Sequence, residues 1–230
     1  MKQLLLSSSL VFILAIAGFI GFEGALLNAQ TTDAVDVTLS VTAELTITAP
    51  SDIGLSAIAG LTGGSSTGTA TWTVVTNNNA GYTLQLHADA SPTLAGDAQG
   101  DSIADYTEAS AGVPDYTYVV DDGDAEFGFT VNTTGTTVTT GEIDASFKNN
   151  GADTCNTGAT LTDANCWLST STSGSKELLA TTTGETAATG EAIQLNFQVE
   201  IDPPSGAFDA DGFVVEDGYT STITMTATMI

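Results

Sequence analysis

Between Ile193 and Ile201 every odd-numbered position carries a large apolar residue and every even one a polar or charged residue. Successive side chains of a β-strand point to opposite faces, so this period of two predicts a strand with one dry and one wet face. The design recurs near the end of the chain. There Tyr219, Ile223, Met225, Ala227 and Met229 share one face, and Thr220, Thr222, Thr224, Thr226 and Thr228 share the other. Two such strands cannot bury their apolar faces alone and call for a second sheet packed against the first.

The longest alternation comes early: Val35, Val37, Leu39, Val41, Ala43, Leu45, Ile47 and Ala49 interleave with polar residues until Pro50. Strands usually run about five or six residues, so this is one very long strand or two that bend near Ala43-Glu44. Apolar burial is worth about 25 cal/mol per Å², so Val35, Val37, Leu39 and Val41 are expected to pair with something. Within one molecule they would complete its own sheet, the role preferred from the sequence. Between molecules they would act as a donor strand in an edge groove of the next subunit.

From residue 50 to 68 a Gly/Ser/Ala-rich crossing segment places Ile53, Leu55, Ile58 and Leu61 to plug one end of the core. A hairpin is predicted from Thr69–Thr76 and Ala80–Ala88 around Asn77-Asn78-Asn79, because Asn tolerates the left-handed backbone of tight turns. Trp72, Val74, Tyr82, Leu84 and Leu86 then face inward and His87 faces solvent. A second hairpin is predicted from Tyr116–Val120 and Phe127–Asn132 around Asp121-Asp122-Gly123-Asp124. Residues 92–114 read as a long surface loop and Val138–Phe147 as a weak strand. The polar stretch 149–190 is too long to be structureless in a compact domain, and short strands are expected near Trp167-Leu168 and Leu178-Leu179.

Composition sharpens this picture. Thr, which suits a pleated half-wet surface, is abundant, while no window after the N-terminus carries a helical stripe. Only Lys2, Lys148 and Lys176 are basic against 28 acidic residues, a formal charge of −25. A field of that sign repels nucleic acid and anionic membranes, so neither is an expected partner. Met1-Lys2, the apolar run Leu4–Phe22 and the small residue Ala29 match a secretory signal peptide over 1–29, with an uncleaved anchor as the alternative. Residues 30–230 then form the domain, with polar insertions near 92–114 and 149–190.

Cys155 and Cys166 are the only cysteines. An even pair this close in an exported chain reads as a disulfide; metal ligation needs more partners than it has. Catalysis has little to work with. His87 is the only histidine, and no Gly-x-Ser-x-Gly elbow accompanies it, so a non-enzymatic protein is expected. Calcium is the one cofactor with a candidate site. Asp121, Asp122 and Asp124 in one turn, and Asp209 and Asp211 in another, supply the hard oxygen ligands Ca²⁺ prefers, although neither turn matches an EF loop. Acidic turns facing water are the alternative. Asn132-Thr133-Thr134 is a formal glycosylation sequon.

Two stretches carry a family resemblance. Trp72-Thr73-Val74 through Asn77-Asn78-Asn79-Ala80-Gly81-Tyr82-Thr83-Leu84 resembles the W-x-V…N-N-x-x-G-Y-x-L motif of bacterial secreted surface proteins. Gly218-Tyr219-Thr220-Ser221-Thr222-Ile223-Thr224-Met225-Thr226 resembles the closing strand of fimbrial-type and spore-coat-U-type sandwiches. The chain is also similar to WxL-type wall-binding domains, although Trp167-Leu168-Ser169 is not joined by their second W-x-L. The motifs are structural and transfer no catalytic residue. Taken together, the sequence predicts an all-β, single antiparallel β-sandwich, jelly-roll or Ig-like. Its expected role is that of a secreted structural protein of the cell surface or an extracellular filament, self-associating or adhering to other surface proteins or glycans. A calcium-dependent carbohydrate-binding module is the alternative.

Overall fold

The computed structural model describes residues 35–203 and 214–230. The predicted signal segment 1–29 and the candidate ligands Asp209 and Asp211 lie outside the described residues. Two units are distinguished, Met1–Val41 and Thr42–Ile230. The described part of the first, Val35–Val41, contains no strand.

The second unit is all-β. Its strands are β1 (Leu45–Thr48), β2 (Gly64–Thr76), β3 (Tyr82–Ala88), β4 (Leu94–Gly96), β5 (Ser102–Asp105), β6 (Ala125–Asn132), β7 (Glu177–Thr181), β8 (Glu191–Ile201), β9 (Tyr219–Thr220) and β10 (Ile223–Met229). They form a seven-stranded sheet in the order β1-β2-β8-β6-β5-β4-β9 and a three-stranded sheet in the order β10-β3-β7. Every pairing is antiparallel except β5 with β6. No helix among the described residues is long and apolar enough to cross a membrane.

β8 is the centre of the larger sheet, flanked by β2 and β6, and its alternation is realised residue by residue. Ile193, Leu195, Phe197, Val199 and Ile201 are buried, while the residues between them are half-buried. Trp72 stands opposite Ile193, and Phe129 stands opposite Phe197. The rings of Phe127 and Phe197 stack with centroids 5.9 Å apart. From the smaller sheet Tyr82, Leu84, Leu86, Leu179 and Met225 close the core. Each such side chain contributes about 1.5–3 kcal/mol relative to exposure, which is why the two apolar faces meet.

Several expectations are corrected. β2 and β3 are not a hairpin: each alternates as predicted, but they belong to opposite sheets, and residues 77–81 carry the chain across. Their apolar faces meet through the core, which leaves the same pattern in sequence as hydrogen-bonded neighbours would. Tyr116–Val120 forms no strand, and β6 pairs instead with β8 and β5. The longer β8 offers an eight-residue register with Phe-on-Phe contact, from Ala125↔Ile201 to Asn132↔Gln194. The expected surface loop 92–114 contains β4 and β5, whose Leu94 and Ile103 are buried. Val138–Phe147 is irregular and ends in a 3-10 turn at Ala145–Phe147 capped by Asp144, yet Val138, Ile143 and Phe147 all reach the core. Of the long early alternation only β1 is a strand.

Candidate functional site

Cys155 and Cys166 are bonded, with S–S 2.04 Å and Cα atoms 5.5 Å apart. The bridge closes a loop whose base is Asn149, fully buried and bridged to both Cys155 and Thr160. Asn149 donates through Nδ2 to Thr162 and accepts from the Gly151 N–H. On the C-terminal side Trp167 pairs with Asp115 and Leu168 with Phe129, so the loop is anchored against the edge of β6. Asn156, Ala164 and Cys166 have positive φ of 55°, 56° and 62°, the backbone region non-glycine residues avoid. The bridge thus fastens a polar, tightly wound segment that has few apolar residues of its own.

The turn at Asp121–Asp124 is closed by Asp124 N–H donating to the Asp121 carbonyl, with Gly123 at φ 95°. It also extends the β6–β8 ladder: Gly123 donates to the Asp202 carbonyl and Asp202 to the Asp124 carbonyl. Among the described residues no three carboxylate, imidazole or thiol groups converge as a metal would require, so Asp121, Asp122 and Asp124 are not brought into a ligand set.

Behind that turn lies an aromatic stack that periodicity did not show. Tyr106 and Tyr118 stack at 4.5 Å, and Tyr118 meets the edge of Trp167 at 5.0 Å. Tyr106 and Trp167 are buried, and each polar tip is engaged. Tyr106 donates to Asp115, Tyr118 to the Glu126 carbonyl, and Trp167 to the Ala164 carbonyl. Rings packed this way offer no open platform for a sugar. Glu126 is buried beside them, and desolvation lifts its carboxyl above the usual range; hydrogen bonds from Thr107 oppose this, while Asp124 and Asp121 reinforce it.

His87 was expected to face solvent and is instead buried. Residues 171–172 run alongside the end of β3, where Ala88 donates to the Ser171 carbonyl and bridges to Thr172. His87 Nε2 lies 4.0 Å from Asp89, and Nδ1 has no hydrogen-bond partner. Asn132 of the sequon donates through Nδ2 to Asn196 at 2.7 Å and accepts from the Thr134 N–H, so its amide is engaged.

The candidate donor residues Val35, Val37, Leu39 and Val41 are 85%, 89%, 88% and 76% exposed. Among the described residues Val35–Val41 forms no strand, so the self-completing pairing preferred from the sequence is not seen there. Leu45 of β1 pairs with Thr76, the last residue of β2. Asn77 then takes over: its side chain accepts from the Glu44 N–H and donates to the Thr42 carbonyl. Beyond that point β2 offers no further ladder.

The crossing segment expected to plug one end of the core does so through Leu55 and Ile58, which pack against it, while Ile53 and Leu61 are exposed. Residues 49–61 cover one end of the core and line a cleft of about 1340 Å³ with Trp72, Phe127 and Phe197 in its walls. Ile53 and Leu55 lean on Gly68, yet among the described residues no backbone–backbone hydrogen bond holds residues 49–58. At the edge of the larger sheet, Asp217 accepts from the Ala98 and Gln99 N–H groups and Asp101 from Tyr219. The Gln99 and Ala98 bonds hold Asp217 below the usual carboxylate range, and burial, with Asp101 adding to it, pushes Tyr219 up to about 12. No family model matches this chain, and no curated protein matches it either.

Proposed function

We propose that this chain is an exported, non-enzymatic structural protein of a cell surface or an extracellular filament, and that it acts by self-association. The observation that carries the reading is the exposure of Val35, Val37, Leu39 and Val41 at alternate positions, an apolar row outside any sheet. Leaving four such side chains in water forgoes on the order of several kcal/mol, which docking into a partner recovers. The disulfide fits an oxidising compartment, in agreement with the leader-like N-terminal pattern. The acidic surface keeps copies apart except where a matched strand outweighs the repulsion.

The test is the association state of the exported protein by light scattering over a range of concentrations, with negative-stain microscopy of the concentrated sample. Mass should rise with concentration, and deleting Thr31–Val41 should leave a folded monomer. A parent protein that stays monomeric throughout, with stability unchanged by the deletion, would refute the reading.

A further inference from the structure

Each copy carries an alternating apolar segment outside any sheet, and the four sheet ends differ in how ready they are to receive one. β9 is two residues long and β1 four. The outer side of β7 is covered: Ile143 bridges Ala180, Asp144 donates to the Leu179 carbonyl, and Thr181 donates to the Glu142 carbonyl. That leaves β10, Ile223–Met229, seven residues paired along one side with β3. Among the described residues no backbone hydrogen bond reaches its other side. β10 also has no charged residue, proline or glycine, the devices that ordinarily blunt an exposed edge.

We infer that the open edge of β10 is the acceptor for the Val35–Val41 segment of a second copy of this chain. The inference rests on the self-association reading above and specifies its surface. The seven residues of β10 are enough to pair with all of Val35–Val41. The faces agree as well. Ile223, Met225 and Ala227 face the core side, and Leu45 and Ile47 of neighbouring β1 are only partly buried beside them. A strand added here lays Val37 and Leu39 over that unfinished rim and keeps Asp36, Thr38 and Ser40 on the same side as Thr224, Thr226 and Thr228. Charge agrees too. Lys176 donates to Thr226 Oγ1 at 3.3 Å, placing one of the three basic residues on the polar face that Asp36 would join. Because every copy holds both halves, one-way docking builds a filament and reciprocal docking a dimer.

Disulfide trapping between two populations of the full exported chain tests this. One population carries Thr38→Cys and a size tag; the other carries Thr224→Cys, Thr226→Cys or Thr228→Cys. The native cysteines are already paired, so each added thiol is unique. A tagged–untagged dimer with at least one β10 variant, and none with Thr46→Cys in β1 or Thr220→Cys in β9, is the expected result. Association with trapping only at β1 or β9 would overturn the β10 acceptor and leave self-association standing. A Thr38→Cys/Thr226→Cys double variant that closes within a monomer at every concentration would show that each chain occupies its own edge, and would overturn the second-copy assignment. No association of the parent at any concentration defeats the self-association reading itself.

Discussion

Tyr82 Oη donates to Glu191 Oε2 at 3.0 Å, joining β3 of the smaller sheet to β8 of the larger across the sandwich. Burial, the negative charge of Glu191 and their hydrogen bond all raise the phenol's pKa, so Tyr82 remains a neutral donor throughout the physiological range. Its ring is wholly buried, and phenylalanine retains the packing. Tyr82→Phe should therefore lose about 1.5–3 kcal/mol, the worth of a hydrogen bond to a charged group. Chemical denaturation of Tyr82→Phe, Glu191→Gln and the double variant measures the coupling. Additive losses would show that the two groups do not act together.

The Cys155–Cys166 bridge should be oxidised in protein from its native compartment, and intact mass after alkylation should show no free thiols. Closing a loop of sequence separation 11 stabilises by about 3 kcal/mol on the chain-entropy model. For a domain of this size that corresponds to a melting temperature lowered by about 6–12 °C on reduction. Calorimetry with and without reductant reads it. Two alkylated thiols in native material would contradict the bond.

Glu126 sets a pH dependence with a definite sign. Burial raises its folded pKa above the ordinary 4.5, so the folded state holds the proton more tightly than the unfolded chain. The stabilisation is present below 4.5 and is lost as pH rises from there through the folded value. The negative charges of Asp124 and Asp121 act in the same direction as burial, against the Thr107 hydrogen bonds. Glu126→Gln should melt higher than the parent at pH 7 and match it near pH 4. A variant less stable than the parent at pH 7 would mean that the ionised carboxylate is satisfied where it sits.

Burial was more legible in the sequence than pairing. The residues of β8, Trp72 and Val74 of β2, and Tyr82, Leu84 and Leu86 of β3 face the core as their alternation requires, because a one-residue slip would turn every apolar side chain outward. Which strand lies beside which is decided by contacts between distant segments. Tyr116–Val120 has the alternation of a strand, and an Asp-Gly turn joins it to β6. Yet Tyr118 is turned into the aromatic stack and hydrogen-bonded to the Glu126 and Gln198 carbonyls. β4 and β5, three and four residues long, are too short to show a period. Val35–Val41 has a full period with no strand around it, since a pattern states what a segment needs and not whether its own chain supplies it. The cysteine pair was legible because the two thiols lie close in sequence and lack the further partners a metal would need.

Gly81 marks the point where the expected hairpin becomes a crossing between sheets, and it yields a sharp prediction. Its φ of 89° lies where side chains are disfavoured, and a Cβ there would stand 2.3 Å from the Thr182 carbonyl oxygen. That oxygen belongs to backbone held by the Thr182 N–H bond to the Tyr82 carbonyl, so it cannot swing away like the end of a side chain. The Gly81 N–H also donates to the Asn78 carbonyl, and the Gly81 carbonyl accepts from Ile230 N–H. Relief by moving residue 81 would break both bonds. Gly112 provides the comparison, with φ of 73° and nothing within 4 Å of a Cβ. Gly112→Ala should cost about 1–2 kcal/mol from backbone strain alone. Gly81→Ala adds overlap with fixed backbone and should cost on the order of 4 kcal/mol or more, in the range reserved for named structural faults. Denaturant melts of the two variants side by side separate the terms, and equal losses would mean that the crossing at Gly81 is free to shift.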